Sequence, residues 1–364
     1  MEQLKKTPLF QEHQQLKALM APFGGWEMPI QYAGGIIAEH RWCREEAALF
    51  DICHMGEFLY EGDFEAGGLE GVFTFSVKSI PVGRSRYGFV LNESGGVIDD
   101  LIVFRLGLEK AMVVVNAATI ANDFSVISSR LTGIASFTDI SDVTAKLDLQ
   151  GPHARAVLTR FFGDELGDIP YFTFRESSIL GVTAIISRTG YTGELGYELF
   201  LPGDKARELW ELLLSDERVR PVGLGARDLL RLEVGYSLYG SDIDQATTPL
   251  EAGLNSFVNF AKEFQGKGAL LKQQQEGVPR IKVAFKVASR RSPRHGYDIF
   301  SREEKVGIVT SGAFSPMLSS GIGIGFVPPA MAAIGSSLTI RHEKVCMEAT
   351  ICELPFYRDG SLRS

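Results

Sequence analysis

The sequence predicts an α+β protein with antiparallel sheets, whose C-terminal part is an antiparallel β-barrel or jelly roll. Two observations lead to this prediction. Residues 87–104 read as a strand, a tight turn and a second strand, and helix-like segments surround them. Beyond residue 278, short strand-like runs are bounded by Gly, Pro or charged turns. With 364 residues, 45% of them apolar, the chain can bury the cores of two or three domains.

The N-terminal part contains two helix patterns and one strand pattern. Apolar residues at helical spacing predict a helix over residues 7–22, and a Gly-Gly pair followed by a proline ends it. A second helix pattern starts near Gly35 and runs to about Leu49. Residues 50–62 then read as a strand.

The next stretch predicts an α+β unit inserted in the chain. A helix pattern over residues 63–74 precedes the hairpin at 87–104. A strand at 112–116 and a helix from 119 to about 131 follow it. This order is βαββαβ-like, which is typical of ferredoxin-like domains.

Two adjacent acids, Asp99 and Asp100, lie in the second strand of this hairpin. Successive side chains of a strand face opposite ways, and the neighbours on both faces are otherwise apolar. At least one carboxylate should therefore be partly desolvated, which raises its pKa unless it is hydrogen-bonded or paired. Such a group is a functional candidate. The alternative is that both acids are turn or edge residues that accept backbone N–H groups.

A second hairpin, at residues 185–200, is rich in glycine, aromatic and acidic residues. Its glycines allow a close approach to a flat ligand, and Tyr191 could stack on one, although a bare hairpin also fits the pattern. Glu198 points away from its neighbours along the strand. A helix from residue 223 then carries Arg227 and Arg231 on one face, either as solvated arginines or as a clamp for a carboxylate.

Composition excludes several classes of function. The net charge is −8 and there is no basic run, so we expect no nucleic acid and no anionic membrane as partner. No apolar stretch is long enough to span a bilayer, and the polar start does not predict a signal peptide. The four cysteines have no CxxC spacing, which indicates reduced thiols in a cytoplasmic protein. No zinc spacing links them to His40 or His54, so we predict no metal.

Several motifs in a fixed order carry a resemblance over nearly the whole chain. They include Gly25-Trp26-Glu27-Met28-Pro29, His54-Met55-Gly56-Glu57-Phe58, Gly95-Gly96-Val97-Ile98-Asp99-Asp100, Val114-Val115-Asn116-Ala117, Arg188-Thr189-Gly190-Tyr191-Thr192-Gly193, Gly223-Leu224-Gly225-Ala226-Arg227-Asp228 and Pro355-Phe356-Tyr357-Arg358. In this order they make the chain resemble the aminomethyltransferase (T-protein) family of the glycine cleavage system. No single motif is decisive, and their joint order is specific.

The resemblance implies a three-domain cloverleaf around a central folate pocket. Residues 1–56 and 140–245 would form a discontinuous α+β folate-binding domain, and 57–139 the inserted ferredoxin-like domain. Residues 246–278 would connect these to a C-terminal barrel at 279–364. The implied reaction transfers the methylene of an aminomethyl group, held on the lipoyl arm of an H-protein, to tetrahydrofolate. Ammonia and 5,10-methylenetetrahydrofolate are the products.

Site residues follow from the resemblance position by position. Asp100 would be the catalytic acid beside the reacting nitrogens of the pterin, and Glu198 would bind the pterin amino edge. The remaining implied folate-binding residues are Met55, Tyr87, Asn116, Tyr171, Tyr191, Arg227 and Arg358. An acid among apolar neighbours can exchange a proton with a nitrogen, and a second acid matches a donor-rich ring edge.

The sequence departs from the family pattern at Phe75-Ser76, at Ser256-Phe257 and after Pro316. These positions fall at the pocket rim or on the partner-facing surface that the resemblance implies. Two alternatives therefore stay open: a folate-dependent demethylase of another small donor, and a folate-binding protein without turnover. The Lys-Gly-Cys-Tyr motif of the folate-binding group is absent, which counts against the second alternative.

Overall fold

Four sheets organise the structure, a computed structural model that describes residues 3–133 and 135–363. They are a two-stranded sheet, a six-stranded sheet, a five-stranded sheet and a closed six-stranded barrel. All neighbouring strands are antiparallel except one short parallel pair in the six-stranded sheet. The predicted α+β class with a C-terminal antiparallel barrel is thereby confirmed.

The N-terminal segment is a short helix followed by a β-hairpin, so the single helix predicted over residues 7–22 is wrong beyond its first half. The helix ends because Lys17 adopts a left-handed conformation with φ +56°. Gly24 and Gly25, with φ +56° and +86°, then make the hairpin turn. The elements are α1 (Phe10–Gln15), β1 (Leu19–Phe23), β2 (Trp26–Gln31), α2 (Gly35–Glu45) and β3 (Ala47–Asp51).

The five-stranded sheet contains the hairpin that the sequence predicted. Its strand order is β5-β6-β7-β4-β8. The elements are β4 (Gly56–Glu61), β5 (Ser85–Leu91), β6 (Val97–Arg105), β7 (Lys110–Val115), α3 (Ile120–Arg130) and β8 (Ser136–Asp139). The predicted strand over 50–62 is divided, because a turn at residues 52–55 separates β3 from β4.

The helix predicted over residues 63–74 is wrong. That stretch contains only a single 3₁₀ turn, Leu69–Gly71. Four glycines within ten residues disfavour a helix, and two of them, Gly62 and Gly68, have positive φ. Three strands consequently follow one another between this stretch and α3, so the unit does not have the βαββαβ order that was expected.

The six-stranded sheet has the order β10-β11-β12-β9-β3-β13. Strand β3 precedes the five-stranded sheet in the chain and pairs with β9, which follows that sheet. Helices α4 and α5 pack their apolar residues against this sheet in one core. The elements are β9 (Thr144–Gln150), α4 (Ala154–Phe162), β10 (Phe174–Ile179), β11 (Val182–Ser187), β12 (Gly196–Pro202), α5 (Ala206–Leu214), β13 (Val219–Pro221) and α6 (Leu224–Glu233).

The C-terminal barrel closes in the order β14-β17-β16-β15-β18-β19 around its own apolar core. Helix α6 packs on the barrel through polar contacts. Arg231 Nη2 donates to Ser311 Oγ at 2.8 Å, and Ser315 Oγ donates to Glu233 Oε1 at 2.6 Å. The elements are α7 (Lys267–Glu276), β14 (Ile281–Val287), β15 (Asp298–Ser301), β16 (Glu304–Ser315), β17 (Ser320–Val327), β18 (Ser337–His342) and β19 (Val345–Cys352).

The tip of the β5–β6 hairpin docks on residues 244–247. The N–H of Val97 donates to two carbonyl groups of that segment at 3.0 Å each, and Asn92 Nδ2 donates to the Gln245 carbonyl O at 2.9 Å. A Cβ atom added to Gly96 would lie 1.8 Å from the same carbonyl O. Only glycine therefore allows this approach.

We expect Gly96→Ala to destabilise the protein by about 1–3 kcal/mol, because the new methyl group must push the hairpin tip away from residues 244–247. Urea unfolding at constant pH measures the change. Gly268→Ala in α7 is the matched control, since nothing lies within 4 Å of its added Cβ, and it should leave stability equal or slightly higher. Equal stability of the two variants would contradict the steric argument.

Candidate active site

The carboxylate of Asp100 on β6 is held by two side chains. Tyr87 Oη donates to Asp100 Oδ2 at 2.8 Å, and Asn116 Nδ2 donates to Asp100 Oδ1 at 2.9 Å. Burial raises the pKa of Asp100 to about 7, the charge of Asp99 adds to this rise, and the two hydrogen bonds oppose it. A carboxylic acid with this pKa exchanges its proton near neutral pH.

Asp99 was expected to point to the opposite face of the strand, yet it binds the same asparagine. Asn116 Nδ2 donates to Asp99 Oδ1 at 2.9 Å, and the Asn116 backbone N–H donates to Asp99 Oδ2 at 3.0 Å. The pairing of β5 with β6 shifts register beside Asp99, and Asn116 directly follows the end of β7. Strand alternation therefore does not separate the two acids, and Asp99 is not independent of Asp100.

Two tyrosines converge on Asp100. Burial raises the pKa of Tyr87 well above its usual value, and the charge of Asp100 raises it further. Burial also raises the pKa of Tyr191, Arg231 opposes this rise, and Asp100 adds to it. The ring of Tyr191 stacks on that of Tyr236 with centroids 5.8 Å apart. Tyr87 thus contacts Asp100 directly, and Tyr191 lies close enough for the charge of Asp100 to affect its pKa. That both tyrosines bind folate stays a prediction.

Opposite charges alternate along the polar face of the six-stranded sheet. Arg227 Nη1 donates to Asp148 Oδ2, and Thr189 Oγ1 donates to Glu198 Oε2. Lys146 Nζ lies 3.4 Å from Glu198 Oε1. Asp148, Glu198 and Lys146 are almost fully buried, at 0%, 4% and 1% exposure. Burial raises the pKa of Asp148 to about 6, although Arg227 lowers it.

Met55 and a group of aromatic residues connect the two sheets. Lys146 Nζ donates to the Met55 sulfur at 3.5 Å. The Met55 side chain packs against the apolar cluster between the five-stranded and six-stranded sheets. The Phe257 ring meets the Tyr87 ring edge-on, with centroids 4.8 Å apart. These contacts place Met55 at the junction of the sheets and Tyr87 against the turn at residues 255–257.

Tyr171 and Arg358 lie further out. Tyr171 is 40% exposed, and its ring meets that of Phe172 edge-on at 4.8 Å. Arg358 is exposed, and its Nη2 donates to Glu353 Oε2 at 2.9 Å. Arg358 also lines a shallow cavity of about 330 Å³ beside residues 317–318 and 356–359. The contacts described for Arg358 thus connect it to the C-terminal segment rather than to Asp100.

The histidines and cysteines form no metal-ligand set among the described residues. In residues 3–133 and 135–363, no group of three or more His, Cys, Asp or Glu side chains is arranged to hold a metal ion. His40 Nε2 instead lies 2.8 Å from Glu233 Oε2. All four cysteines are free thiols, and Cys43 and Cys53 are buried.

Known protein families match most of the chain. The family described as "GCVT N-terminal domain" matches residues 9–262, and "Glycine cleavage T-protein C-terminal barrel domain" matches residues 280–358. The chain belongs to the glycine cleavage T-protein family.

Similar proteins cover the whole chain. An aminomethyltransferase of Halothermothrix orenii is 44% identical over 97% of this chain and all of the relative. One of Thermotoga petrophila is 42% identical over 99% of both chains. The crystal structure of glycine cleavage system aminomethyltransferase T from Bartonella henselae superposes with a TM-score of 0.92 at 35% identity, over 98% of this chain and 99% of that one.

These matches confirm the resemblance inferred from the motifs, and the structural match confirms the cloverleaf architecture. No described helix is long and apolar enough to cross a membrane. Phe257 is one of the positions at which the sequence departs from the family pattern, and its ring packs edge-on against Tyr87.

Sequence reasoning missed two residues of the polar face, Lys146 and Asp148. The signal was available, because β9 alternates apolar residues with polar ones at positions 146, 148 and 150. All of these polar side chains are buried, so β9 has no solvent-facing side. A polar row inside a buried strand indicates a site rather than a surface.

Glu57 on β4 is a buried acid behind this row. It is 1% exposed, and its Oε1 has no hydrogen-bond partner among the described residues. Burial raises the pKa of Glu57 to about 8, with Lys146 lowering it and Glu198 raising it. Glu57 is therefore mostly protonated at neutral pH.

Stability should consequently fall as pH rises. Between about pH 4.5 and 8 the folded chain holds a proton on Glu57 that the unfolded chain has released, so raising the pH favours unfolding. As the pH rises from 6 to 8, we expect the free energy of unfolding of Glu57→Gln to fall by about 2 kcal/mol less than that of the wild type. Urea unfolding at each pH tests this. Glu61→Gln, an exposed residue of the same strand, should keep the wild-type slope.

Proposed function

We propose that the chain is the aminomethyltransferase of a glycine cleavage system. It transfers the methylene of an aminomethyl group, held on the lipoyl arm of an H-protein, to tetrahydrofolate. The arm regains its thiol, ammonia leaves, and 5,10-methylenetetrahydrofolate forms. The observation that carries this proposal is the enclosed Asp100 carboxylate, which Tyr87 and Asn116 hold.

The residues on the polar face fit a pterin. Glu198 Oε2 accepts a hydrogen bond from Thr189, and the nearest cation to Oε1 is Lys146 Nζ at 3.4 Å, beyond a normal hydrogen bond. One oxygen of Glu198 thus keeps capacity for a donor, which suits the amino edge of the ring. Tyr87 and Tyr191 offer aromatic surfaces, and Met55 fills the junction of the sheets.

Tetrahydrofolate supplies the two nitrogens that accept the one-carbon unit, one in the pterin ring and one in the adjoining side chain. Asp100 gives or takes a proton beside these nitrogens, because its pKa of about 7 leaves both protonation states populated at neutral pH. Asn116 and Tyr87 fix the direction of the carboxylate. Arg227 neutralises Asp148, which keeps Glu198 the acid available to the ligand.

Tyr171 and Arg358 complete the proposed folate contacts from the outer side. Both are exposed, which suits contact with the part of the folate that leaves the pocket. The partner is proposed to be a lipoylated H-protein that binds transiently, since its arm must enter and leave in each cycle. We infer a cytoplasmic location from the four free thiols.

Tetrahydrofolate should bind without any partner protein, with micromolar affinity or about −8 kcal/mol. We expect Glu198→Gln to weaken binding about tenfold, because an amide replaces the charged acceptor. Titration calorimetry measures both. Glu176→Gln, an exposed acid on the same sheet, is the control and should bind like the wild type. No heat of binding to the wild type would refute the folate assignment.

Asp100→Asn should slow methylene transfer from aminomethylated H-protein by about 100-fold or more while folate affinity stays within about twofold. The reason is that the amide keeps the shape of the side chain and cannot exchange the proton. Single-turnover formation of methylenetetrahydrofolate and release of ammonia are the measurements. Asp298→Asn on the barrel, where the acid pairs with Lys305, is the control.

Two results would overturn this assignment. A loss below fivefold in Asp100→Asn would remove the proposed role of the acid. Wild-type turnover of a methylated amine or sulfonium, with no ammonia from aminomethylated H-protein, would replace the aminomethyltransferase by a folate-dependent demethylase. Binding of folate without turnover of either donor would indicate the binding protein.

A further inference from the structure

The side chain of Gln150, at the end of β9, lies between two glycines. Gly190 belongs to the loop before β12, and Gly196 is the first residue of that strand. A Cβ atom added to either glycine would lie 2.2 Å from Gln150 Nε2, so a larger residue would displace the amide. Gln150 is fully buried. At these two glycines, the flat group that approaches the second hairpin is therefore an amide of the protein itself.

The hydrogen bonds of this amide fix its orientation. Nε2 donates to Asp148 Oδ1 at 2.6 Å and to the Thr189 carbonyl O at 3.0 Å, and Oε1 accepts from Thr192 Oγ1 at 2.7 Å. An ionised carboxylate and a carbonyl group can only accept hydrogen bonds, so the opposite orientation would bring three acceptors together. Gln150 therefore serves as a donor to both of these groups.

Two acids that face each other across β9 and β12 depend on these contacts. Asp148 lies directly opposite Glu198 in the antiparallel pair, on the same face of the sheet, and like charges in such positions repel. Three of their four carboxylate oxygens accept hydrogen bonds, from Gln150, Arg227 and Thr189. The fourth oxygen is Oε1 of Glu198, the atom proposed above to meet the ligand.

Thr189 connects the amide of Gln150 to Glu198. Its carbonyl O accepts a hydrogen bond from Gln150, and its hydroxyl group donates to Glu198 Oε2. The backbone and the side chain of one residue thus transmit the position of the amide to the carboxylate. Without the amide, the loop that carries Thr189 would lose this contact, and the direction of the Glu198 carboxylate would no longer be fixed.

We infer that Gln150 is a positioning residue for the folate site: its amide occupies Asp148 and holds Thr189 against Glu198, so that Glu198 presents Oε1 to the donor-rich edge of the ligand. The inference rests on the proposed function, which assigns that edge to Glu198. It deepens the proposal by a residue that acts on the ligand through its neighbours.

The test is Gln150→Met, which keeps the length of the side chain and removes its donors. Tetrahydrofolate should bind about tenfold more weakly to this variant, because the two acids no longer present one aligned acceptor. In the Glu198→Gln background the same substitution should cost less than about twofold, because its effect passes through Glu198. Titration calorimetry gives the four affinities. The rate of single-turnover transfer at saturating folate should stay within about twofold, since Asp100 is untouched.

Two further measurements address the contact itself. Without ligand, hydrogen exchange of the backbone amides of residues 189–194 should quicken about tenfold in Gln150→Met, because the loop loses its donor. Thr192→Val removes the hydrogen bond to Gln150 Oε1 and should weaken tetrahydrofolate binding about threefold, with no such loss in the Glu198→Gln background. This variant decides the question if Gln150→Met does not fold.

Thr248→Val is the control for loss of a buried hydrogen bond elsewhere. Thr248 is 4% exposed, and its Oγ1 donates to Gln273 Oε1 at 2.7 Å. The control should melt at a lower temperature and bind tetrahydrofolate like the wild type. A merely structural role of Gln150 predicts that same pattern for Gln150→Met.

That pattern, or equal losses of affinity in the wild-type and Glu198→Gln backgrounds, would overturn the inference. Unchanged hydrogen exchange in Gln150→Met would also overturn it, because the amide would then not hold the loop. Absence of tetrahydrofolate binding by the wild type would instead refute the proposed function, and the exchange rates would still show whether Gln150 fixes residues 189–194.

Discussion

The buried carboxylate of Glu233 joins three parts of the chain. Its Oε2 lies 2.8 Å from both His40 Nε2 and Arg44 Nη2 on α2, and its Oε1 accepts a hydrogen bond from Ser315 of the barrel. Burial alone would raise the pKa of Glu233, and the partners bring it below its usual value. Displacement of any of these partners would leave a buried charge uncompensated, which costs free energy. The end of α6 is thereby fixed between α2 and the barrel.

This constraint extends to the site. Arg227 lies on α6 six residues before Glu233, so the anchoring of the helix end also fixes the guanidinium against Asp148 on β9. The Arg227 guanidinium lies 5.3 Å from the centre of the Tyr191 ring and contributes to holding the second hairpin. One helix therefore connects the barrel contact to the polar face. The proposed pterin contacts on β12 depend on that rigidity rather than on a loop.

The fold was predictable where a local pattern decides the structure. The β5–β6 hairpin, α3 and the barrel strands other than β15 follow from alternation and turn residues. The errors at residues 7–22 and 63–74 occurred where apolar spacing suits a helix but glycines or a left-handed Lys17 change the backbone. At the site, residue types and motif order indicated Asp100, Glu198 and both inner tyrosines. The pairing of Asp99 with Asn116 was not predictable, because it depends on where β7 ends relative to β6.

Proton affinity depends still more on three-dimensional context. Asp100, Asp148 and Glu57 come from three different strands, yet burial brings their pKa values to about 7, 6 and 8. Arg227 and Lys146 lower the pKa of Asp148, whereas hydrogen bonds from Tyr87 and Asn116 lower that of Asp100. A buried acid held by neutral hydrogen-bond donors keeps its proton near neutral pH, and its burial lowers the free energy of unfolding. That combination is expected at a position retained for proton transfer rather than for packing.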